Sequence, residues 1–146
     1  MTQSEQGSSS LDDMRQSAKT SGYFQMLGLN IDAFQDGKGV VSVQVDERLL
    51  HPQQIVHGGV IFTLADTAMS MALLSLLPAG ASVSTIEAKI NYLRPVRMGE
   101  LRAEAAIVHQ GRSTAVLEAT VYNVNGEERH AIARVLGTFH ISQGRR

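Results

Sequence analysis

A histidine, two glycines and an aspartate stand close together in the stretch IVHGGVIFTLAD, residues 55–66. If this stretch begins a helix at the glycines, three hydroxyl side chains share one helical face with Asp66, namely Thr63, Thr67 and Ser70. An ionised carboxylate in so apolar a helix is costly unless it is paired or hydrogen-bonded. Two interpretations of Asp66 stay open: a solvated or structural hydrogen-bond acceptor, and a catalytic carboxylate in a perturbed environment.

Gly58 and Gly59 stand where this helix begins. The N–H groups of a first helical turn have no partner inside the helix, and the helix dipole favours negative charge there. Because glycine allows close approach to the backbone, this position is suited to an oxyanion site that polarises a carbonyl group. The alternative is that the glycines only form a tight turn into the helix.

The spacing of these residues has a geometric consequence. Asp66 follows Gly58 by eight residues, which corresponds to about 12 Å along a helix. That separation is too large for both residues to act on one carbonyl group. If they cooperate, Asp66 of one subunit must face Gly58 of another, so the chemistry requires a homodimer.

The surrounding sequence predicts one long helix and an antiparallel sheet. A helical pattern runs from Gly58 to about Leu77 and stops at the Pro-Ala-Gly sequence of residues 78–80. Alternating apolar residues predict one strand before this helix, within 39–47. Four more strands are predicted after it, with a tight turn at Asn125-Gly126: 82–93, 100–109, 113–123 and 129–141.

A helix that is apolar nearly all round must be buried on most sides, and a sheet that curls around it is the simple solution. The prediction is therefore an α+β fold. A short amphipathic helix is also expected within residues 11–30, ending near Gly22 or Gly28.

Composition limits the remaining possibilities. The 146 residues predict a polar, disordered tail at 1–10 and one domain at 11–146. Thirteen Lys and Arg residues against fourteen Asp and Glu residues argue against binding of nucleic acid or of an anionic membrane. No membrane span is expected, because polar residues interrupt the longest apolar stretch. The absence of cysteine excludes disulfides and thiol chemistry, and is typical of a cytoplasmic protein.

Three segments together resemble a known enzyme family: HPQQIVHGGVIFTLADTAMSMA, STIEAKINYLRPVRMGE and VHQGRSTAVLEATVYN. The combination of HGG, an acid nine residues after the histidine, and LRP followed by GE resembles the hotdog-fold acyl-CoA thioesterases, in the branch of the phenylacetate-pathway and 4-hydroxybenzoyl-CoA-type enzymes. The resemblance covers about residues 20–141. It implies a hotdog fold, a curved antiparallel sheet wrapped around a long central helix, in homodimers that commonly pair into homotetramers. It also implies hydrolysis of an acyl-CoA thioester, with a medium-chain or aromatic acyl group and with no metal or other cofactor.

The resemblance also implies roles for individual residues. Asp66 matches the catalytic acid, which acts as general base on water or as nucleophile. Gly58 matches the residue whose backbone N–H polarises the thioester carbonyl, and His57 the residue that holds the loop and the helix start together. Ser70 and Thr85 match hydroxyl positions near the attacking water, with Ser84 as the alternative to Thr85.

One loop departs from the family pattern. His51 stands where relatives hold an asparagine or glutamine that helps to align the carbonyl group or the water. Histidine can still donate a hydrogen bond, but it also titrates near neutral pH. Gln54 replaces a glycine of many relatives, which implies a differently shaped loop.

The phosphates of CoA call for cations at the mouth of the site, and three arginines are the candidates: Arg94, Arg97 and Arg112. An acyl pocket would draw on apolar residues of two helices: Met69, Leu73, Leu74, Tyr23 and Phe24. Two alternatives to a thioesterase stay open, a hotdog hydratase or dehydratase and a non-catalytic acyl-CoA-binding protein.

Overall fold

The computed structural model describes residues 9–144, so residues 1–8 of the predicted tail and residues 145–146 lie outside the described part. The described chain forms, in order, α1 (Leu11–Lys19), α2 (Gly22–Leu27), β1 (Asn30–Gln35), β2 (Lys38–Gln44), α3 (Gly58–Leu74), β3 (Ser82–Tyr92), β4 (Glu100–Gln110), β5 (Thr114–Asn125) and β6 (Glu128–Ser142). Ser10 is the N-cap of α1 and forms a capping box with Asp13.

The six strands form one antiparallel sheet in the order β1-β2-β4-β5-β6-β3, and α3 packs across it. This arrangement is the hotdog fold, and the predicted α+β class is confirmed. Long apolar side chains of α3 and of the central strands are almost fully buried, among them Leu64, Met69, Leu73, Leu101, Leu117 and Phe139. The core therefore lies between the helix and the sheet.

One glycine allows the helix to lie this close to the sheet. A Cβ atom on Gly39 of β2 would collide with the carbonyl oxygen of Ala68 and the amide nitrogen of Ala72. The helix itself ends at Leu74, earlier than the predicted Leu77. Leu77 is still buried in the turn that follows, which explains why the apolar pattern continues past the last helical residue.

The N-terminal part differs from the prediction in two ways. Residues 11–30 contain two helices instead of one, because Ser21 caps α2. Strand β1 was not predicted from the sequence. A bulge between Ile31 and Ala33 breaks the strand's alternation, so its two buried residues, Ile31 and Phe34, stand three positions apart.

The later strands agree with their predicted ranges to within two residues. The last hairpin turn lies one residue further along than expected. Asn125 pairs with Glu128, so Gly126 and Glu127 form the turn. Gly126 has a φ of 65°, a value that favours glycine.

Strand β3 is an edge strand that pairs only with β6 among the described residues. Its outer edge has backbone groups free to pair with another strand. Ile86 and Tyr92 on this strand, and Leu93 just beyond it, are more than half exposed, at 57%, 51% and 54%. No helix within residues 9–144 is long and apolar enough to cross a membrane.

Candidate active site

Asp66 lies in the middle of α3, half-buried, and one strand side chain contacts its carboxylate. The Thr85 hydroxyl donates a hydrogen bond of 2.6 Å to Asp66 Oδ1. Ser70, one turn further along, donates instead to the backbone carbonyl of Asp66, at 3.0 Å. The structure therefore brings Thr85, and neither Ser84 nor the Ser70 hydroxyl, to the carboxylate.

The direction of Thr85 depends on a bulge in β3. The register with β6 shifts between Thr85 and Glu87, so one extra residue interrupts the alternation. As a result Thr85 and Tyr92, seven positions apart, both point towards α3, whereas regular alternation would put them on opposite faces. Two separate contacts between β3 and α3 follow from this one irregularity.

Asp66 opens on a cleft of about 420 Å³, lined by Tyr23, Phe24, Phe62, Thr63, Asp66, Thr67, Ser70 and Met71. Of the residues proposed for an acyl pocket, Tyr23 and Phe24 line this cleft. Met69 and Leu73 are fully buried between helix and sheet and do not line it. A carboxylate with three aromatic neighbours can present a water molecule to an apolar acyl group.

The first turn of α3 is capped by the histidine of the HGG motif. His57 is the N-cap residue, and its Nδ1 accepts a hydrogen bond of 2.9 Å from the Gly59 N–H. Nδ1 therefore acts as an acceptor and carries no proton. The Gly58 N–H has no acceptor within residues 9–144. This arrangement leaves one backbone donor free at the positive end of the helix.

The carbonyl groups of the glycine pair accept hydrogen bonds from Tyr92 and Thr63, and Tyr23 in turn contacts Thr63; the roles of the two tyrosines were not predicted from the sequence. The Tyr92 hydroxyl donates to the Gly58 carbonyl at 2.8 Å. The Thr63 hydroxyl donates to the Gly59 carbonyl at 2.9 Å and lies 2.6 Å from the Tyr23 hydroxyl. Since the single proton of Thr63 is used, Tyr23 is the donor in that pair. Tyr92 is half exposed, and partial burial of its hydroxyl raises the pKa of the phenol.

The loop before α3 uses His51 as a structural acceptor. His51 Nδ1 accepts a hydrogen bond of 3.0 Å from the Gln53 N–H, and the His51 carbonyl accepts one from Gln54. Gln54 has a φ of 64°, in the left-handed region. The backbone conformation is thus one that favours glycine, and here a glutamine adopts it.

The three candidate arginines are exposed, and the structure does not bring them together within one chain. Arg94 and Arg97 lie between β3 and β4, and Arg94 lines a small cavity beside Tyr92. Arg112 lies in the turn after β4, at the other end of a strand about 34 Å long. Arg94 is therefore near the Gly58 end of α3. Within residues 9–144 no cluster of histidine and carboxylate side chains could hold a metal ion.

Comparison with known proteins shows the family to which the chain belongs. The model of the thioesterase superfamily matches residues 53–130, more than half of the chain. The chain belongs to this superfamily and is, by class, a thioester hydrolase.

Individual relatives agree with this assignment. The chain is 36% identical to the acyl-coenzyme A thioesterase PaaI of Escherichia coli over 116 residues, 78% of either protein. It is 31% identical to 1,4-dihydroxy-2-naphthoyl-CoA hydrolase of Listeria monocytogenes over 68% of this chain and 81% of the relative. The crystal structure of a thioesterase from Haemophilus influenzae superposes with a TM-score of 0.84 at 28% identity, over 94% of both chains.

Proposed function

We propose that the protein hydrolyses an acyl-CoA thioester to the free acid and CoA, with Asp66 as general base or nucleophile. The observation that carries this proposal is the Asp66 carboxylate, hydrogen-bonded by Thr85 and facing an aromatic-lined cleft. The relatives named above, a thioesterase and a hydrolase of CoA thioesters, support the substrate class.

The reaction follows from what each group can do. As a general base, Asp66 takes a proton from water while the water oxygen attacks the thioester carbonyl. The carbonyl oxygen becomes negative and accepts a hydrogen bond from the free Gly58 N–H. Collapse of this intermediate breaks the C–S bond and releases the CoA thiolate. As a nucleophile, Asp66 would instead form a mixed anhydride, which water then cleaves. Neither route needs a metal or a prosthetic group.

The cleft supports a medium-chain or aromatic acyl group. Tyr23, Phe24 and Phe62 provide aromatic walls, and Met71 an adaptable apolar one. An aryl ring can stack against such walls, and a medium-length alkyl chain can lie along them. The neighbouring hydroxyls of Thr63 and Ser70 already donate to backbone carbonyls, so they bring little unpaired polarity to the cleft.

A homodimer is proposed to complete the site. Gly58 and Asp66 are about 12 Å apart along α3. Gly58 is held at the Tyr92 end of β3, and Asp66 at the Thr85 end. If the free edges of two β3 strands pair antiparallel about a two-fold axis near Ala88, Tyr92 of one copy lies opposite Thr85 of the other. Gly58 of one copy then approaches Asp66 of the other across a shared cleft.

The CoA phosphates are proposed to bind at the protein surface near this interface. Arg94 is the leading candidate, since it lies on the Gly58 side, and Arg97 follows it closely in the chain. Arg112 would contribute only from another copy or at another site. Pairing of two dimers into a homotetramer and a cytoplasmic location remain predictions.

A panel of acyl-CoA esters with aromatic and medium-chain acyl groups tests the function. Release of free CoA is measured with a thiol reagent, and the protein adds no background because it has no cysteine. We expect the wild-type protein to release thiol, and Asp66→Ala to bind substrate without releasing it. Hydration of an enoyl-CoA without thiol release would instead indicate a hydratase, and binding without reaction a non-catalytic binding protein.

A further inference from the structure

Both polar ends of the peptide group between Gly58 and Gly59 are held by side chains. Its carbonyl oxygen accepts a hydrogen bond of 2.8 Å from the Tyr92 hydroxyl. Its N–H donates a hydrogen bond of 2.9 Å to Nδ1 of His57. The two side chains come from different elements, Tyr92 from the end of β3 and His57 from the loop before α3. The peptide plane is therefore fixed from opposite sides.

Tyr92 also contacts Gly58 through its ring. A Cβ atom on Gly58 would lie 3.0 Å from the Tyr92 hydroxyl oxygen and 3.1 Å from Cζ. The phenol thus lies directly over the glycine, where no larger residue fits without a shift of the ring. The bulge between Thr85 and Glu87 is what directs this tyrosine inwards at the far end of an edge strand.

Fixing this peptide group matters because two consecutive glycines have more conformational freedom than any other pair. An oxyanion donor acts by being aimed in advance at the position where charge develops. The donor proposed here, the Gly58 N–H, belongs to the peptide group just before the clamped one. Rotation about the Gly58 backbone bonds would change the angle between the two groups and misdirect the donor.

We infer that Tyr92 is a positioning residue, which fixes the Gly58–Gly59 peptide group so that the Gly58 N–H points at the reacting carbonyl oxygen. This inference rests on the proposed thioester hydrolysis and deepens it. Tyr92 acts through the glycine backbone, by one hydrogen bond and by the contact of its ring.

Tyr92→Phe is the informative variant, because it keeps the ring and removes only the hydroxyl. We expect kcat to fall about 3- to 10-fold, the scale of one hydrogen bond, while KM changes by less than about twofold. The matched control is Tyr122→Phe, since the Tyr122 ring stacks under Arg129 on the sheet, away from α3. The control is expected to keep the wild-type kcat.

A second measurement separates positioning from general destabilisation. Hydrogen exchange of the Gly59 amide, followed by NMR in the folded protein, should accelerate in Tyr92→Phe, because the Gly59 N–H depends on the same peptide plane. Exchange of core amides in β5 should stay unchanged. Tyr92→Ala, which also removes the ring contact, should lower kcat further than Tyr92→Phe does.

Several results would overturn the inference. A wild-type kcat in Tyr92→Phe would do so, as would a raised KM with unchanged kcat, or a loss of activity equal to the loss of folded protein. These outcomes leave the proposed function standing if the wild-type protein releases thiol. A wild-type protein that hydrolyses none of the acyl-CoA esters overturns the proposed function and this inference together.

Discussion

The first turn and the middle of α3 both contact strand β3, but β3 binds a backbone group at the first turn and a side chain in the middle. At the first turn, His57 and Tyr92 form hydrogen bonds with the backbone of the glycine pair and leave the Gly58 N–H free. In the middle of the helix, the Thr85 hydroxyl donates a hydrogen bond to one side-chain oxygen, Asp66 Oδ1. One region thus prepares a hydrogen-bond donor, and the other a hydrogen-bond acceptor.

This difference explains the residue types at each place. A donor supplied by the backbone needs a small residue and external side chains that fix it, because glycine cannot fix itself. An acceptor supplied by a side chain needs only one contact to select its orientation, since Asp66 lies inside the helix, whereas the N–H groups of the glycine pair belong to the first turn and have no partner within the helix. The comparison predicts that the first turn is sensitive to changes in the backbone, and the middle to changes in single hydroxyl or carboxyl groups.

The largest effect is expected from removing the backbone donor itself. Gly58→Pro eliminates the N–H, and proline is favoured at the first position of a helix. His57 precedes it with φ −61° and ψ 132°, a conformation that a residue before proline prefers. We expect kcat to fall about 10²- to 10³-fold, the range for loss of one oxyanion donor.

Gly58→Ala is the matched control for this variant. It adds the same Cβ atom near Tyr92 but keeps the N–H. The difference in kcat between the two variants isolates the donor. Equal values in the two variants would exclude the Gly58 N–H from the reaction.

The next largest effect is expected from mixing two variants, which tests whether Gly58 of one copy and Asp66 of the other form one site across a dimer. A mixed dimer of Asp66→Ala and Gly58→Pro chains has one site with both defects and one intact site, if each site takes one residue from each copy. Random reassociation of equal amounts of the two variant chains gives mixed dimers in about half of the cases. Because each mixed dimer has one intact site of two, about one quarter of the wild-type activity should be restored. Either variant alone should be nearly inactive.

A mixture of Asp66→Ala with Asp66→Asn is the control, because no pairing of these chains yields an intact site. Failure of the first mixture to recover, with mixed dimers demonstrated by two affinity tags, would mean that each site lies within one chain.

A smaller effect is expected in the middle of the helix. Thr85→Val removes the hydroxyl that orients Asp66 and should lower kcat about 3- to 10-fold. Thr85→Ser keeps the hydroxyl and should stay close to wild type. Ser84→Ala, on the neighbouring position that does not reach Asp66, is the control. If Ser84→Ala lowers kcat and Thr85→Val does not, the assignment of the hydrogen bond is wrong.

The sequence predicted the parts of this site that depend on regular geometry. The position of Asp66 on a helix follows from the helical pattern between Gly58 and about Leu77, and the glycines at its start mark the free N–H groups; the observed helix is Gly58–Leu74. The strands after the helix followed from alternation. These features depend on local spacing, which a sequence displays directly.

The parts that escaped prediction depend on irregular geometry. Bulges in β1 and β3 shift the alternation by one residue, and nothing in NIDAFQ or STIEAK marks them. The Asp36-Gly37 turn, with φ values of 51° and 77°, was the signal that would have revealed β1. The inward direction of Tyr92 could not be predicted, because it follows from the bulge and not from its own neighbours.

The smallest effect concerns the pH dependence of stability at the first turn. Burial raises the pKa of Tyr92 in the folded protein, so the unfolded chain loses this proton at a lower pH than the folded one. The contribution to the free energy of unfolding is therefore complete below the ordinary tyrosine pKa, and is lost as the pH rises through the higher folded pKa. A phenolate also cannot donate to the Gly58 carbonyl. Urea unfolding from about pH 9 to about pH 11.5, a range that spans the ordinary tyrosine pKa of about 10 and extends above it, should show a steeper loss of stability for wild type than for Tyr92→Phe, with Tyr122→Phe as the matched control. Parallel curves for wild type and Tyr92→Phe would mean that folding does not raise the pKa of Tyr92.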